Sequence, residues 1–173
     1  MKRSVLLILA LCTFAVACGD DDDSPTTPSN QPIIFGAAMT AAQEVPPISN
    51  AEQGATGTAT LTFNVTRDAS NRIQSGTIDM EFTLAGFPAG STAILAHIHT
   101  GASGVAGPVL VNSGLSAATP VAMPNGTGSF TARGITADAA TLQSIVDNPA
   151  GFYYNVHTTV NPGGAVRAQL VRR

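Results

Sequence analysis

Two stretches decide the fold of this chain: TATLTFNVT at residues 58–66 and GTIDMEFTL at residues 76–84. In each stretch apolar and polar residues alternate, so successive side chains point to opposite faces of a strand and one face is buried. Turn-forming residues at 67–72 lie between the two stretches. The pattern therefore predicts an antiparallel hairpin with one apolar face.

Six further stretches have the length and the flanking turns of strands. Each is bounded by clusters of glycine, proline or asparagine, such as GFPAG at 86–90, which interrupt regular structure. We predict strands at 33–40, 94–100, 108–113, 127–132, 152–158 and 165–172.

One segment breaks the two-residue period. Leu142, Ile145 and Val146 recur at helical spacing behind a cap at Thr136 or Asp138, which predicts one short helix at about 136–147. About eight short strands with a single helix, and no regular alternation of strands with helices, favour an all-β fold. We therefore expect a Greek-key β-sandwich or a flattened barrel.

The N-terminus has the layout of a secretory signal peptide. Basic residues precede an apolar run from Val5 to Leu11, and small residues follow at 15–17. We predict that residues 1–17 are a signal peptide and that its removal exposes Cys18 for lipidation, because this segment resembles a bacterial lipobox. Secretion without the lipid is the alternative, and it keeps the same compartment.

Residues 18–32 are predicted to be the lipidated cysteine and a disordered tether. Four consecutive aspartates and a run rich in Pro, Ser and Thr follow Cys18, and such a segment has little apolar surface to bury. The acidic block resembles the export tag of some surface lipoproteins of Gram-negative bacteria. We expect an extracytoplasmic protein, lipid-anchored to the bacterial envelope at the outer membrane, on its periplasmic face or at the cell surface, with the membrane as its first partner.

Charge and cysteine content restrict the partners of the folded part, residues 33–173. This part holds six arginines and seven acidic residues, a net charge of −1, so no basic face can neutralise phosphates and nucleic-acid binding is disfavoured. The chain's two cysteines, Cys12 and Cys18, both precede it. The domain is therefore expected to fold without a disulfide.

The three histidines of the chain are the strongest candidates for a binding site. His97 and His99 project from the same face of a predicted strand, roughly 6.5–7 Å apart, and His157 ends another strand. If these strands are neighbours, three neutral imidazoles converge, a set that suits copper or zinc. The alternative is a hydrogen-bonded structural network that includes Asn155 and Arg167.

No catalytic constellation accompanies the histidines. No serine lies in a Gly-x-Ser-x-Gly elbow, and Asp79 and Glu81 are expected on the solvated face of a regular strand. The glycine-rich loop at 101–108 leads into a strand, so it lacks the helix N-terminus that binds phosphate. Its glycines are expected to serve tight turning and to let the backbone approach His99 closely.

Five motifs occur in an order that resembles the chordin-type domain family, CHRD, from about Phe35 to Leu170. The motifs are QEVPP at 43–47, GATG at 54–57, AHIHTG at 96–101 running into GVAGPV at 104–109, YNVHT at 154–158, and PGGAVRAQL at 162–170. The resemblance implies a β-sandwich-like extracellular module without a defined activity, for which an extracellular protein or a glycan is the expected partner. The chain departs from the family in the last motif, where Ala165 and Ala168 replace an acid and a glycine.

A second likeness is to copper-zinc superoxide dismutase, which is itself a Greek-key sandwich. It rests on the His-x-His strand, the later lone histidine and the closing strand with Arg167. That enzyme uses more histidines, a metal-binding aspartate and a disulfide, so the likeness implies at most a mononuclear copper or zinc site. Similarity of fold alone does not transfer the activity.

Two functional hypotheses follow from the sequence. The first is an exported, lipid-anchored CHRD module with a binding or envelope-structural role and no catalysis, in which the histidines, Asn155 and Arg167 form a polar network. The second is a mononuclear copper or zinc metalloprotein, redox-active if the metal is copper, with His97, His99 and His157 as ligands and Arg167 attracting an anion. Ligand nitrogens within ~4–5 Å of one another around a common point would favour the second, because Zn–N and Cu–N bonds are about 2.0–2.1 Å long.

Overall fold

The computed structural model describes residues 29–173. The predicted signal peptide at 1–17, Cys18 and most of the tether at 18–32 lie outside the described residues and stay predictions. At the start of the described part, the backbone N–H of Arg67 donates to the side-chain oxygen of Asn30 at 3.2 Å.

Ten strands and one α-helix make up the described residues, together with two short 3-10 helices at Ala41–Gln43 and Pro149–Gly151. The elements are β1 (Ile33–Thr40), β2 (Thr56–Arg67), β3 (Ile73–Ala85), β4 (Ser91–Thr100), β5 (Val109–Asn112), β6 (Val121–Met123), β7 (Gly128–Thr136), α1 (Ala139–Asp147), β8 (Phe152–Thr158), β9 (Val166–Gln169) and β10 (Val171–Arg172). The predicted all-β fold with one short helix is confirmed.

The strands form a single antiparallel sheet that coils into a nearly closed, barrel-like sandwich. The order is β5-β4-β8-β9-β1-β2-β3-β7, with β10 paired to β1 and β6 paired to β4. β1, β2, β3 and β7 form one wall, and β4, β5, β8 and β9 form the other. The walls join where Thr40 of β1 pairs with Arg167 of β9, and β6 packs against β7 on the opposite side.

The hairpin predicted from the alternating stretches is β2–β3. Leu61 lies opposite Met80 and Phe63 lies opposite Ile78, and all four side chains are fully buried. These apolar pairs form the centre of the core, because residues two apart on each strand point to the same face.

The strand count and the helix start differ from the sequence prediction. β6 was not predicted, since it is only three residues long and is flanked by prolines at 120 and 124. The predicted strand 165–172 is divided at Leu170, whose N–H donates to the carbonyl of Phe152 instead. The helix begins at Ala139 because β7 continues to Thr136 and Asp138 caps the helix, its carboxylate accepting the N–H of Thr141 at 2.8 Å.

The helix covers one end of the sandwich by burying Leu142 and Ile145. Within residues 29–173, no helix has both the length and the apolar character needed to cross a bilayer.

Strand β8 is buried along both of its faces. Phe152, Tyr154 and Val156 point into the apolar core, whereas Tyr153, Asn155 and His157 occupy the opposite face. Polar side chains on the outer face of a sheet are ordinarily solvated. Here they are covered, so this face is where a site can form.

We expect Ile98→Ala to lower the free energy of unfolding by about 2–5 kcal/mol, because it leaves a cavity in the core beneath the outer face of β4. Ile98 is fully buried, whereas Val171 is 62% exposed, so Val171→Ala is the control and should change stability by no more than about 0.5 kcal/mol. Urea unfolding followed by circular dichroism measures both. Equal losses in the two variants would contradict the assignment of Ile98 to the core.

Candidate functional site

The three histidines meet on the outer face of β4 and β8. These strands pair antiparallel, so that His99 lies opposite Tyr153 and His97 lies opposite Asn155, and His157 comes two residues after Asn155. One ligand nitrogen from each ring lies within 4.8 Å of the other two. The convergence expected from the sequence is therefore present in the fold.

Backbone carbonyls determine which nitrogen of two rings is free. Nδ1 of His99 lies 3.0 Å from the carbonyl oxygen of Gly107, and Nδ1 of His157 lies 2.9 Å from that of Pro162. A carbonyl only accepts hydrogen bonds, so both Nδ1 atoms carry the proton and both Nε2 atoms keep a lone pair. Metal-binding histidines are usually oriented by this same second hydrogen bond.

Nitrogens of His97 and His157 face one another, and because Nε2 of His157 keeps its lone pair, Nδ1 of His97 donates to it in the metal-free protein. Nδ1 of His97 lies 3.2 Å from Nε2 of His157, close to the separation of about 3.4 Å for two nitrogens bonded to one tetrahedral ion at 2.0–2.1 Å. Nε2 of His99 is buried and has no hydrogen-bond partner. An unpaired buried acceptor costs free energy, and a metal ion would be a partner for it.

Burial keeps the rings neutral. The three side chains are only 5–7% exposed. Burial, together with the rings of His157 and His99, lowers the pKa of His97 to about 4. Burial also lowers the pKa of His99 and His157, although the hydrogen bonds to Gly107 and Pro162 act in the opposite direction. Neutral imidazole is the form that binds metal, so little proton competition is expected near pH 7.

The glycine-rich loop at 101–108 covers one side of the cluster. A Cβ at Gly107 would lie 1.6 Å from the carbonyl oxygen of Thr100, so only glycine allows this loop to pass so close to β4. The Gly107 carbonyl then reaches both His99 and the hydroxyl of Tyr153, at 3.0 and 3.3 Å. The expected close approach of this backbone to His99 is confirmed.

Arg167 and Tyr153 support the cluster from the β9 side. The guanidinium carbon of Arg167 lies 3.7 Å from the centre of the Tyr153 ring, a cation–π contact. The same ring stacks on His99 at 4.8 Å. Because β8 lies between β4 and β9, Tyr153 separates Arg167 from the imidazoles. Arg167 donates instead to the loop carbonyls of Val105 and Ala102, at 3.0 and 3.4 Å.

Two buried carboxylic acids from the segment between β1 and β2 complete the surroundings, and the sequence analysis did not find either one. Glu44 accepts from Nδ2 of Asn155 at 2.5 Å, and burial raises its pKa to about 7 against the opposing effects of Arg167 and Asn155. Glu52 is fully buried and accepts from Thr158 and Asn161, both at 2.6 Å.

The contacts of Glu52 hold the turn that carries Pro162. Asn161 and Thr158 flank this turn, and the backbone N–H of Asn161 also donates to the Thr158 hydroxyl at 3.0 Å. The Pro162 carbonyl orients His157. Glu52 therefore supports the ring indirectly, by holding the turn that positions this carbonyl. No periodic pattern links Glu52 to a strand, and only its contacts in the fold reveal this role.

The fold and its covered polar face define the protein as a β-sandwich domain with a buried three-histidine cluster. The CHRD domain family model matches residues 35–170, which include every strand from β2 to β9 and all three histidines. The chain therefore belongs to the CHRD domain family. Neither the curated proteins nor the solved structures contain a match to it.

We expect the metal-free protein to lose stability as the pH falls from 7 to 5. The folded state keeps the three rings neutral, whereas the unfolded chain protonates them below about pH 6.5, so the unfolded state binds more protons in this window. Glu44 acts in the opposite direction, because its raised pKa favours the folded state below pH 7, but one carboxyl opposes three rings.

Urea unfolding at pH 5, 6 and 7 in the presence of a chelator measures this dependence. His97→Gln should reduce the slope, since it removes the ring whose pKa is lowered to about 4. A stability that is independent of pH, or one that rises on acidification, would contradict the neutral cluster.

Proposed function

We propose that this CHRD domain binds a single copper or zinc ion through His97, His99 and His157. One observation carries the proposal: three buried imidazoles place their ligand nitrogens within 4.8 Å of one another. Two of these rings are already oriented by carbonyl hydrogen bonds. Metal binding would therefore lose little further side-chain entropy at these two ligands.

The composition of the ligand set supports this choice of metal. Imidazole suits copper and zinc, whereas calcium and magnesium prefer oxygen ligands. Burial and the charge of Arg167 both lower the pKa of His99, which keeps this ring in the neutral form that binds metal. A copper ion would make the site redox-active, and a zinc ion would not.

Membership of the CHRD family fits a non-catalytic module, and metal binding is its proposed role here. Arg167 was expected from the sequence to attract an anion to a metal in this site. Its contacts with Tyr153 and the loop carbonyls instead support a structural role, in which it holds the loop over His99.

We expect the wild-type protein, offered copper and zinc together, to retain one ion per chain after desalting. His99→Ala and His157→Ala should each bind far more weakly, by more than the roughly 10–100-fold that loss of a supporting hydrogen bond costs. Arg133→Ala is the control, because Arg133 lies on the surface and pairs with Asp79 and Glu81.

Elemental analysis gives the stoichiometry and identifies the preferred metal, and a competition titration gives the affinity. Substoichiometric metal in the wild type, or the wild-type metal content in His99→Ala, would refute the metal site. The hypothesis of a hydrogen-bonded structural network would then replace it.

We further propose that the domain is exported and anchored to the bacterial envelope through a lipid on Cys18. The sequence of the signal segment and the acidic tether supports this proposal. A lipid anchor would hold a metal-binding domain at the membrane surface.

Replacing Cys18 should abolish lipidation, whereas replacing Cys12 should not. These are the two cysteines of the chain, so Cys12→Ser is a matched control for Cys18→Ser. Labelling of producing bacteria with radioactive palmitate, followed by membrane fractionation, tests the difference. Label retained by Cys18→Ser, or no label in the wild type, would refute the anchor.

A further inference from the structure

Asn155 occupies the centre of the covered face. Across the sheet it lies opposite His97 on one side and opposite Arg167 on the other. On its own strand Tyr153 and His157 are its neighbours on the same face. Its side chain is 2% exposed, so its polar atoms must find partners inside the site.

The amide nitrogen of Asn155 has its partners on the side of β9. Nδ2 donates to Glu44 at 2.5 Å and lies 3.5 Å from the carbonyl oxygen of Val166. A Cβ at Gly164 would lie 2.8 Å from the same nitrogen, so this side is fully packed. Asn155 pairs across the sheet with His97 of β4, so its side chain lies on the face that carries the histidines.

The amide oxygen of Asn155 is buried and accepts no hydrogen bond. On the face that carries the histidines, Oδ1 of Asn155 and Nε2 of His99 are both buried without a hydrogen-bond partner, as is Oε1 of Glu52 beside the turn that carries Pro162. A metal ion satisfies the histidine nitrogen, but it could satisfy the amide oxygen only by direct coordination, and carbonyl oxygen is a preferred ligand of calcium and magnesium rather than of copper or zinc. A water molecule on the metal satisfies the amide oxygen, because coordination leaves its hydrogens free to donate.

We infer that the fourth coordination position holds a protic ligand, water in the resting protein, that donates a hydrogen bond to Oδ1 of Asn155. The inference rests on the proposed metal site and adds the class of ligand that this position selects. A ligand that carries hydrogen pairs with Asn155, whereas an aprotic anion leaves its oxygen unpaired.

Glu44 is the positioning residue behind Asn155. Its carboxylate holds the amide nitrogen and so determines which limb of the amide faces the metal. Arg167 opposes the rise in the pKa of Glu44 through its positive charge, which helps to keep the carboxylate able to accept. Glu44, Asn155 and the metal-bound water form one hydrogen-bonded chain.

The test uses Cu²⁺ as the probe ion in the full-length protein. Electron-nuclear double resonance in H₂O and in D₂O should show strongly coupled exchangeable protons in the wild type, the signature of coordinated water. In Asn155→Leu the ion still holds the water but no acceptor orients its hydrogens, so these couplings should shift from their wild-type values. Azide, an aprotic anion that must displace the water, should bind Asn155→Leu about fivefold more tightly than the wild type, the factor expected for one neutral hydrogen bond.

Two further variants separate this role from a merely structural one. Asn155→Asp keeps an acceptor oxygen and should retain the exchangeable protons. Arg133→Ala, which alters a surface residue, should behave as the wild type in both measurements. Should Asn155→Leu fail to fold, Asn155→Ala, which removes the amide without adding bulk, takes its place in both measurements.

The outcomes distinguish the two levels of proposal. Failure of the wild type to take up one Cu²⁺ ion at the histidines overturns both the metal site and the water. A bound Cu²⁺ without strongly coupled exchangeable protons, or with equal azide affinity in the wild type and Asn155→Leu, overturns the role of Asn155 alone.

Discussion

The burial of a polar sheet face is the constraint on which the rest of this structure depends. The outer face of β8 carries Tyr153, Asn155 and His157, and loops cover it completely. A buried polar group without a partner costs about 1–3 kcal/mol, so each group must be matched by a group from another segment. The loop carbonyls, the two buried carboxylic acids and the stacked Arg167 are these matches. Nε2 of His99 and Oδ1 of Asn155 are among the buried polar atoms that remain without a partner, and the proposed ligand would pair with them.

Backbone and side chains have different tasks in this arrangement. Backbone carbonyls at Gly107 and Pro162 orient two imidazoles, and backbone positions vary less than the ends of long side chains. The two carboxylic acids do not contact the imidazoles. Glu44 binds the side-chain amide of Asn155, and Glu52 binds the turn that carries the Pro162 carbonyl. Negative charge is thereby kept away from direct contact with the imidazoles, which leaves a ligand set made of neutral nitrogen donors.

Sequence periodicity predicted the fold and the histidine cluster because both depend on the two-residue repeat of strands. The repeat in 58–66 and 76–84 identified the central hairpin, and the His-x-His spacing placed two rings on one face. Three-residue β6 was missed because it is too short to show a period. Glu44 and Glu52 were missed because their partners lie more than 100 positions away along the chain. Tyr153 could have been found, since it shares the alternation of Asn155 and His157.

The separation of these contacts along the chain has a consequence for the order of folding. The facing nitrogens of His97 and His157 come from positions 60 residues apart, and the supports from Glu44 and Glu52 span 111 and 106 residues. Contacts of such range close late, because the chain must first lose the entropy of the intervening loops. The histidine cluster and its supports are thus assembled only after β4, β8 and the segment between β1 and β2 have come together.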